Sequence, residues 1–240
     1  MRFMTDPVEH AKTYPFPVPG RSYRFLNGRP EPLATHDFDR TGRVPVLAAG
    51  SNQSHEQLAR KYSALPGHVE IPVQRGALHD FDAVYAAHLA GYGSVPSTFC
   101  PSPGTRVTTY VLWLDDAQLN RMHETERNYT YDGLEEIRVE IEDSGEVLDA
   151  AFAYTARVGC VNVDGAAVAL AEIPARNRSL RQMSQAEMLA HVRDRLEPGA
   201  DLDAFIRAHI EDEELRRRRT AALSADSLAL GFARRVIGEF

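Results

Sequence analysis

The sequence predicts an α+β fold, a mixed and mostly antiparallel sheet or small barrel with helices, followed by a helical C-terminal extension. Three observations carry this. Segments such as "LEEIRVEIED" alternate Ile137, Val139 and Ile141 with charged residues, as in a half-exposed antiparallel strand. Between such segments lie short capped helical stretches. Beyond Pro174 the pattern turns helical, from "SQAEMLAHVRDRLEPG" onward.

Residues 1–43, rich in Pro, Gly and aromatics, suit an extended arm over a domain surface better than a helix. A domain at 44–182 opens with "VPVLAA" as a buried strand. "GSN" follows as a turn, and "SHEQLARKYSAL" as a helix with Ser54 and Gln57 placed as a capping box. "VEIPVQR" and "ALHDFDAVYAAHL" read as two strands, and "GYGSVPSTFCPSPG" as a mobile loop at a pocket rim. "RVTTYVLWL" is the next strand, and Asp115 or Asp116 caps the helix after it. "VLDAAFAYTARV" and the pair around Asp164-Gly165 continue the sheet, Asp-Gly being a hairpin signal. Residues 183–240 read as helices packed on the domain: a Ser184/Glu187 capping box, then "DLDAFIRAHIEDEELRRRRTAAL" and "SADSLALGFARRVIG".

Composition excludes several classes. With 43% hydrophobic and 25% charged residues the chain is an ordinary globular one. A net charge of -7 argues against a nucleic-acid groove, and Arg216 to Arg219 follow an acidic stretch, as on a charge-laced helix face. Cys100 and Cys160 stand without metal-ligand spacing, and the histidines are scattered, so neither a disulfide scaffold nor a metal site is expected. No apolar run approaches a membrane span and the N-terminus has no signal-like core; the expectation is a cytoplasmic protein with no membrane partner.

The sharpest chemical feature is Glu126. On a helix from Asp116, Leu119, Met122 and Glu126 fall at i, i+3 and i+7, so a carboxylate shares the apolar stripe. Burial without a cationic partner would raise its pKa towards the range of a general acid/base; a Glu bending to solvent, or pairing with Arg121 or Arg127, is the alternative. The Gly50-Ser51-Asn52 turn offers bare backbone N–H groups for a carboxylate or oxyanion, and is equally common turn chemistry.

In this order the motifs resemble the γ-glutamylcyclotransferase-like superfamily, over roughly Val44 to Leu196. "AAGSN" is similar to its Tyr-Gly-Ser-Asn motif at Gly50, Ser51 and Asn52. Pro103-Gly104, a strand, then Leu119, Met122 and Glu126 resemble its segment ending in the catalytic Glu. The resemblance implies Glu126 as catalytic acid/base, and Ala49, Gly50, Ser51, Asn52, Arg127, Tyr129 and Tyr131 as substrate-binding. It also implies a γ-glutamyl or related small amide substrate and no metal or cofactor. The implied reaction is intramolecular aminolysis releasing 5-oxoproline and an amine or amino acid. Two departures stand out, Ala49 for the family's aromatic and Arg127 for its Gly after the Glu. Arg127 either blunts the acid beside it or binds a substrate carboxylate. Hydrolysis or amide transfer in the same pocket, and a non-catalytic binding module, remain as alternatives, and a homodimer is open.

Overall fold

The computed structural model describes residues 6–33 and 38–240. It contains helices α1 (Pro7–Lys12), α2 (His55–Tyr62), α3 (Asp116–Thr125), α4 (Gln185–Leu196), α5 (Leu202–Glu211) and α6 (Glu213–Ser224). The longer strands are β1 (Tyr23–Leu26), β2 (Arg29–Pro32), β3 (Val44–Ala48), β4 (Glu70–Tyr85), β5 (Ser97–Leu114), β6 (Tyr129–Ile141) and β7 (Val147–Ala156). Two-residue strands β8 (Ala169–Leu170), β9 (Ala175–Arg176) and β10 (Gln182–Met183) follow, then β11 (Arg235–Glu239).

The sheet closes into a small barrel in the order β4-β5-β3-β7-β6, with β6 returning to β4. All of these pairings are antiparallel except β3 with β7. Closure depends on a bare backbone at Gly76, where a Cβ would stand 2.8 Å from the Glu140 carbonyl oxygen on β6. Strand alternation then divides the core. Val46 and Ala48 of β3, with Leu112 and Leu114 of β5, pack outward against Leu58 and Tyr62 of α2 and Met122 of α3. Leu47, Val111, Leu134 and Val139 face the other way, into a cluster that runs through the barrel to Met188, Val192, Phe205 and Leu223 of the C-terminal helices.

Several expectations are corrected. The N-terminal arm is not merely extended. Asp6 caps α1 by accepting from Val8 N at 2.7 Å, and Lys12 pairs with Asp203 in the first turn of α5 at 2.7 Å. The β1/β2 hairpin adds to β4. Residues 34–37 and 1–5 of that arm lie outside the described residues. The two strands read around Gly76 are one, β4, bent by a bulge at His79–Phe81 where Asp80 has φ of 61°. Most of the expected rim loop belongs to β5, which begins at Ser97.

The C-terminal helical stretch is broken at Asp212, whose extended backbone and side chain start α6 by accepting from Leu215 N at 2.9 Å. After Ser224 no helix forms. Leu228 exchanges backbone hydrogen bonds with Cys160, and β11 pairs with β6. An open strand edge offered more hydrogen bonds than an uncapped helix would. Asp164 and Gly165, with φ of 55° and 85°, form the expected turn, closed by a Val163/Ala166 bridge.

Candidate active site

The strand β3 ends at a 3-10 turn, Ser51–Gln53, that leads into α2. Ser54 takes the cap position of α2 without capping it: its hydroxyl donates instead to the Pro17 carbonyl at 2.8 Å, so the expected capping box is absent. On the neighbouring α3 the Asp115 box is complete, with Gln118 N–H on Asp115 Oδ1 at 2.9 Å and Asp115 N–H on Gln118 Oε1 at 3.2 Å. Ten residues of helix starting there, with Met122 buried, carry Glu126 to the last cap position, facing the Gly50–Asn52 turn.

Glu126 lines a cavity of about 340 Å³ together with Ala49, Gly50, Ser51, Asn52 and Tyr129. Asn52 Nδ2 donates to Glu126 Oε1 at 3.0 Å. The carboxylate also has a cationic partner that the sequence reading did not foresee. Lys61 of α2 pairs with the same Oε1, and its Nζ donates to Asn52 Oδ1 at 2.7 Å and to Met122 Sδ at 3.0 Å. The premise of an unpaired buried carboxyl is therefore corrected. The Lys61 side chain is 4% exposed and that of Glu126 12%; both line the cavity, and the carboxylate is the more exposed member of the pair. Burial pushes the Lys61 ammonium down from its ordinary pKa, and the Glu126 carboxylate pulls the other way.

The backbone cradle is already engaged. Tyr14, from the N-terminal segment, accepts from Ser97 N at 3.0 Å and Ser51 N at 3.4 Å. Its hydroxyl lies 3.0 Å from Ser97 Oγ, which itself donates to the Ala49 carbonyl; Tyr14 is thus the donor to Ser97. The Ser51 amide expected to meet a substrate anion donates to a phenol instead. Ala49, small where an aromatic was expected, adjoins this phenol-filled corner.

Gly50 has no Cβ for the same reason. One built there would lie 1.9 Å from the Tyr14 oxygen and 2.5 Å from Ser97 Oγ. Gly50→Ala is therefore expected to cost about 1–3 kcal/mol in urea unfolding, with part of the loss recovered in Gly50→Ala/Tyr14→Phe; equal stability of Gly50→Ala and wild type would refute this packing.

Tyr129 closes one wall, its hydroxyl donating to the Ser97 carbonyl at 3.1 Å. His88 stands edge-on to it with ring centroids 5.2 Å apart, and burial pushes its pKa down to about 4, so the ring is neutral at neutral pH. Its Nδ1 is buried without a hydrogen-bond partner. Two expected binding residues are elsewhere. Arg127 is exposed and turns its Nε back to the Glu124 carbonyl at 3.3 Å, away from the cavity. Tyr131 is not in the cavity lining; it packs with His123, Phe152 and Tyr154, of which Tyr154 lines the cavity. Arg127 lies beyond the last turn of α3, which ends at Thr125, and Tyr131, two residues along β6 from Tyr129, stacks on Phe152 of the neighbouring β7.

Sequence reasoning missed Lys61, Tyr14 and His88. Lys61 had a signal, since Leu58, Lys61 and Tyr62 fall at i, i+3 and i+4 on the buried stripe of α2. Among the described residues no group of three or more His, Cys, Asp or Glu side chains is arranged to hold a metal, and no helix is long and apolar enough to cross a membrane.

No family model matches the chain, and no curated protein matches it. Two solved structures are similar to it, each with a TM-score of 0.39 and each covering 82% of this chain and 95% of its own. One is described as a gamma-glutamyl cyclotransferase, at 14% identity; the other is an uncharacterized protein from Homo sapiens, at 12%.

Proposed function

We propose that the protein is an enzyme acting on a small γ-glutamyl amide by intramolecular aminolysis, with Glu126 as acid and base. The observation that carries this reading is a carboxylate anchored by Asn52 and Lys61 at the wall of a cavity sized for a small molecule. Glu126 takes a proton from the substrate's α-ammonium. The freed amine attacks the γ-carbonyl carbon, a C–N bond forms, and the carbonyl oxygen becomes a tetrahedral oxyanion. Collapse breaks the bond to the leaving nitrogen, which receives the proton from Glu126; the ring nitrogen then gives its surplus proton through the same carboxylate to the leaving amine, which departs as an ammonium. The products are 5-oxoproline and an amine or amino acid, and the carboxylate is regenerated.

The ring closes within one molecule, so holding the folded conformer supplies much of the rate. The Lys61 ammonium behind Glu126 offsets negative charge developing in the cavity. With the Ser51 amide held by Tyr14, the polar groups of the Tyr14 and Tyr92 wall are the ones that meet the substrate's acyl part.

The test is release of 5-oxoproline, followed by mass spectrometry, from γ-glutamyl dipeptides, γ-glutamyl amines and glutathione. Wild type is expected to release it from at least one member, and Glu126→Gln to do so at least about 10²-fold more slowly. Silence across the panel sinks the reaction; hydrolysis to free glutamate instead would assign the same carboxylate to activating water.

A further inference from the structure

The chain has twenty-five arginines and two lysines, Lys12 and Lys61. Among the described residues, ion pairs that hold a buried member otherwise use arginine. Arg178 meets Asp82 at 2.8 Å, Arg219 meets Glu197 at 2.7 Å and Arg234 meets Asp132 at 3.0 Å. Arginine stays protonated at every pH a protein survives and suits a fixed counter-ion. The pair at the cavity alone breaks this habit, setting a lysine against Glu126.

Lysine differs in that it can lose its proton when buried. The three hydrogens of Nζ are directed at Glu126 Oε1, Asn52 Oδ1 and Met122 Sδ, so its only charged contact is Glu126. We propose that Lys61 is a positioning residue that shares its proton with Glu126, so that the pair, and not the carboxyl alone, constitutes the acid and base of the site. Moving one proton from Nζ to Oε1 breaks an N–H bond and forms an O–H bond, and leaves the pair's total charge at zero. Glu126 thereby passes between base and acid without drawing a proton from water.

The surroundings agree. Burial favours the neutral amine, and the nearby Arg121 guanidinium, whose Nε donates to the Lys61 carbonyl at 2.7 Å, adds to that pressure. Glu126 opposes both. The phenols of Tyr14, Tyr62, Tyr92, Tyr129 and Tyr154 around the pair are all pushed up by burial and stay neutral.

This inference rests on Glu126 as acid/base, and its test does not require turnover. Lysine labelled with 13C at Cε yields two NMR signals, and Lys12→Arg tells them apart. Lys12, exposed to Glu9 and Asp203, is shifted upward. The Lys61 signal should titrate at lower pH than that of Lys12, and at lower pH still in Glu126→Gln. Titration of Lys61 together with Lys12, or a midpoint unmoved by Glu126→Gln, would overturn the proposal. Where 5-oxoproline is released, Lys61→Arg should lose the alkaline limb of the rate profile; a profile superimposable on wild type marks a fixed counter-ion. If no substrate turns over, cyclotransfer fails while the wild-type titration still decides the pair.

Discussion

Replacing Glu126 by leucine is expected to cost the fold about 3–5 kcal/mol near neutral pH, because it strands the buried Lys61 ammonium with only Asn52 and Met122 as partners. The loss should shrink as pH rises. In the folded variant the Lys61 pKa lies below its unfolded value of 10.5, since burial pushes it down and the opposing carboxylate is gone. Below the folded pKa the full penalty of the buried charge is felt. Above it the folded state sheds the proton while the unfolded chain keeps it, so stability recovers up to the unfolded pKa. Lys61→Met/Glu126→Leu should restore most of the loss at neutral pH, since an apolar pair of similar volume carries no desolvation cost. Urea unfolding of the three variants at several pH values measures this. A Glu126→Leu protein as stable as wild type, or a deficit independent of pH, would contradict a buried ion pair here.

Acid should destabilise the protein well before its carboxylates account for the loss. His88 and His209 are both buried, and burial is the first cause pushing each down to about 4 from 6.5. His209 is held neutral by its partners: Arg219 donates to Nδ1 at 3.1 Å, which leaves Nε2–H to donate to the Gly93 carbonyl at 2.9 Å. A second proton on that ring has no acceptor. Because the folded pKa lies below the unfolded one, the unfolded state binds more protons between pH 6.5 and about 4, and stability falls as pH falls through that window. Each histidine contributes about 3 kcal/mol, and the two together about 6 kcal/mol, a large share of a domain's stability. His88→Leu/His209→Gln should flatten the stability profile across this window by that amount relative to wild type. An unchanged slope would show that neither ring resists protonation.

Glu126 was legible in the sequence because its signal is local. A helix of period 3.6 starting at a capped Asp115 places Leu119, Met122 and Glu126 on one stripe, and no distant residue is needed to select it. The same is true of the turn at Gly50–Asn52, of the Asp164-Gly165 turn, of the Ser184 cap and of the α+β alternation. Arg127 and Tyr131, which the resemblance implied as binding residues, do not line the cavity: Arg127 lies past the end of α3, and Tyr131 stacks on Phe152, contacts that no local pattern specifies.

What the sequence by itself determined was the α+β alternation from β3 to α5, the stripe that carries the carboxylate, and the bare turn opposite it. Tertiary structure alone decided what those groups touch. Lys61 meets Glu126 only because α2 lies beside α3, and Tyr14 reaches the Ser51 amide from 37 positions upstream only because α1 is anchored beside α5. The last residues became a strand, not a helix, because the edge of β6 was open. Helical periodicity and capping are encoded within a few residues, whereas ion pairing, cradle occupancy and edge pairing depend on which segments the closed barrel brings together.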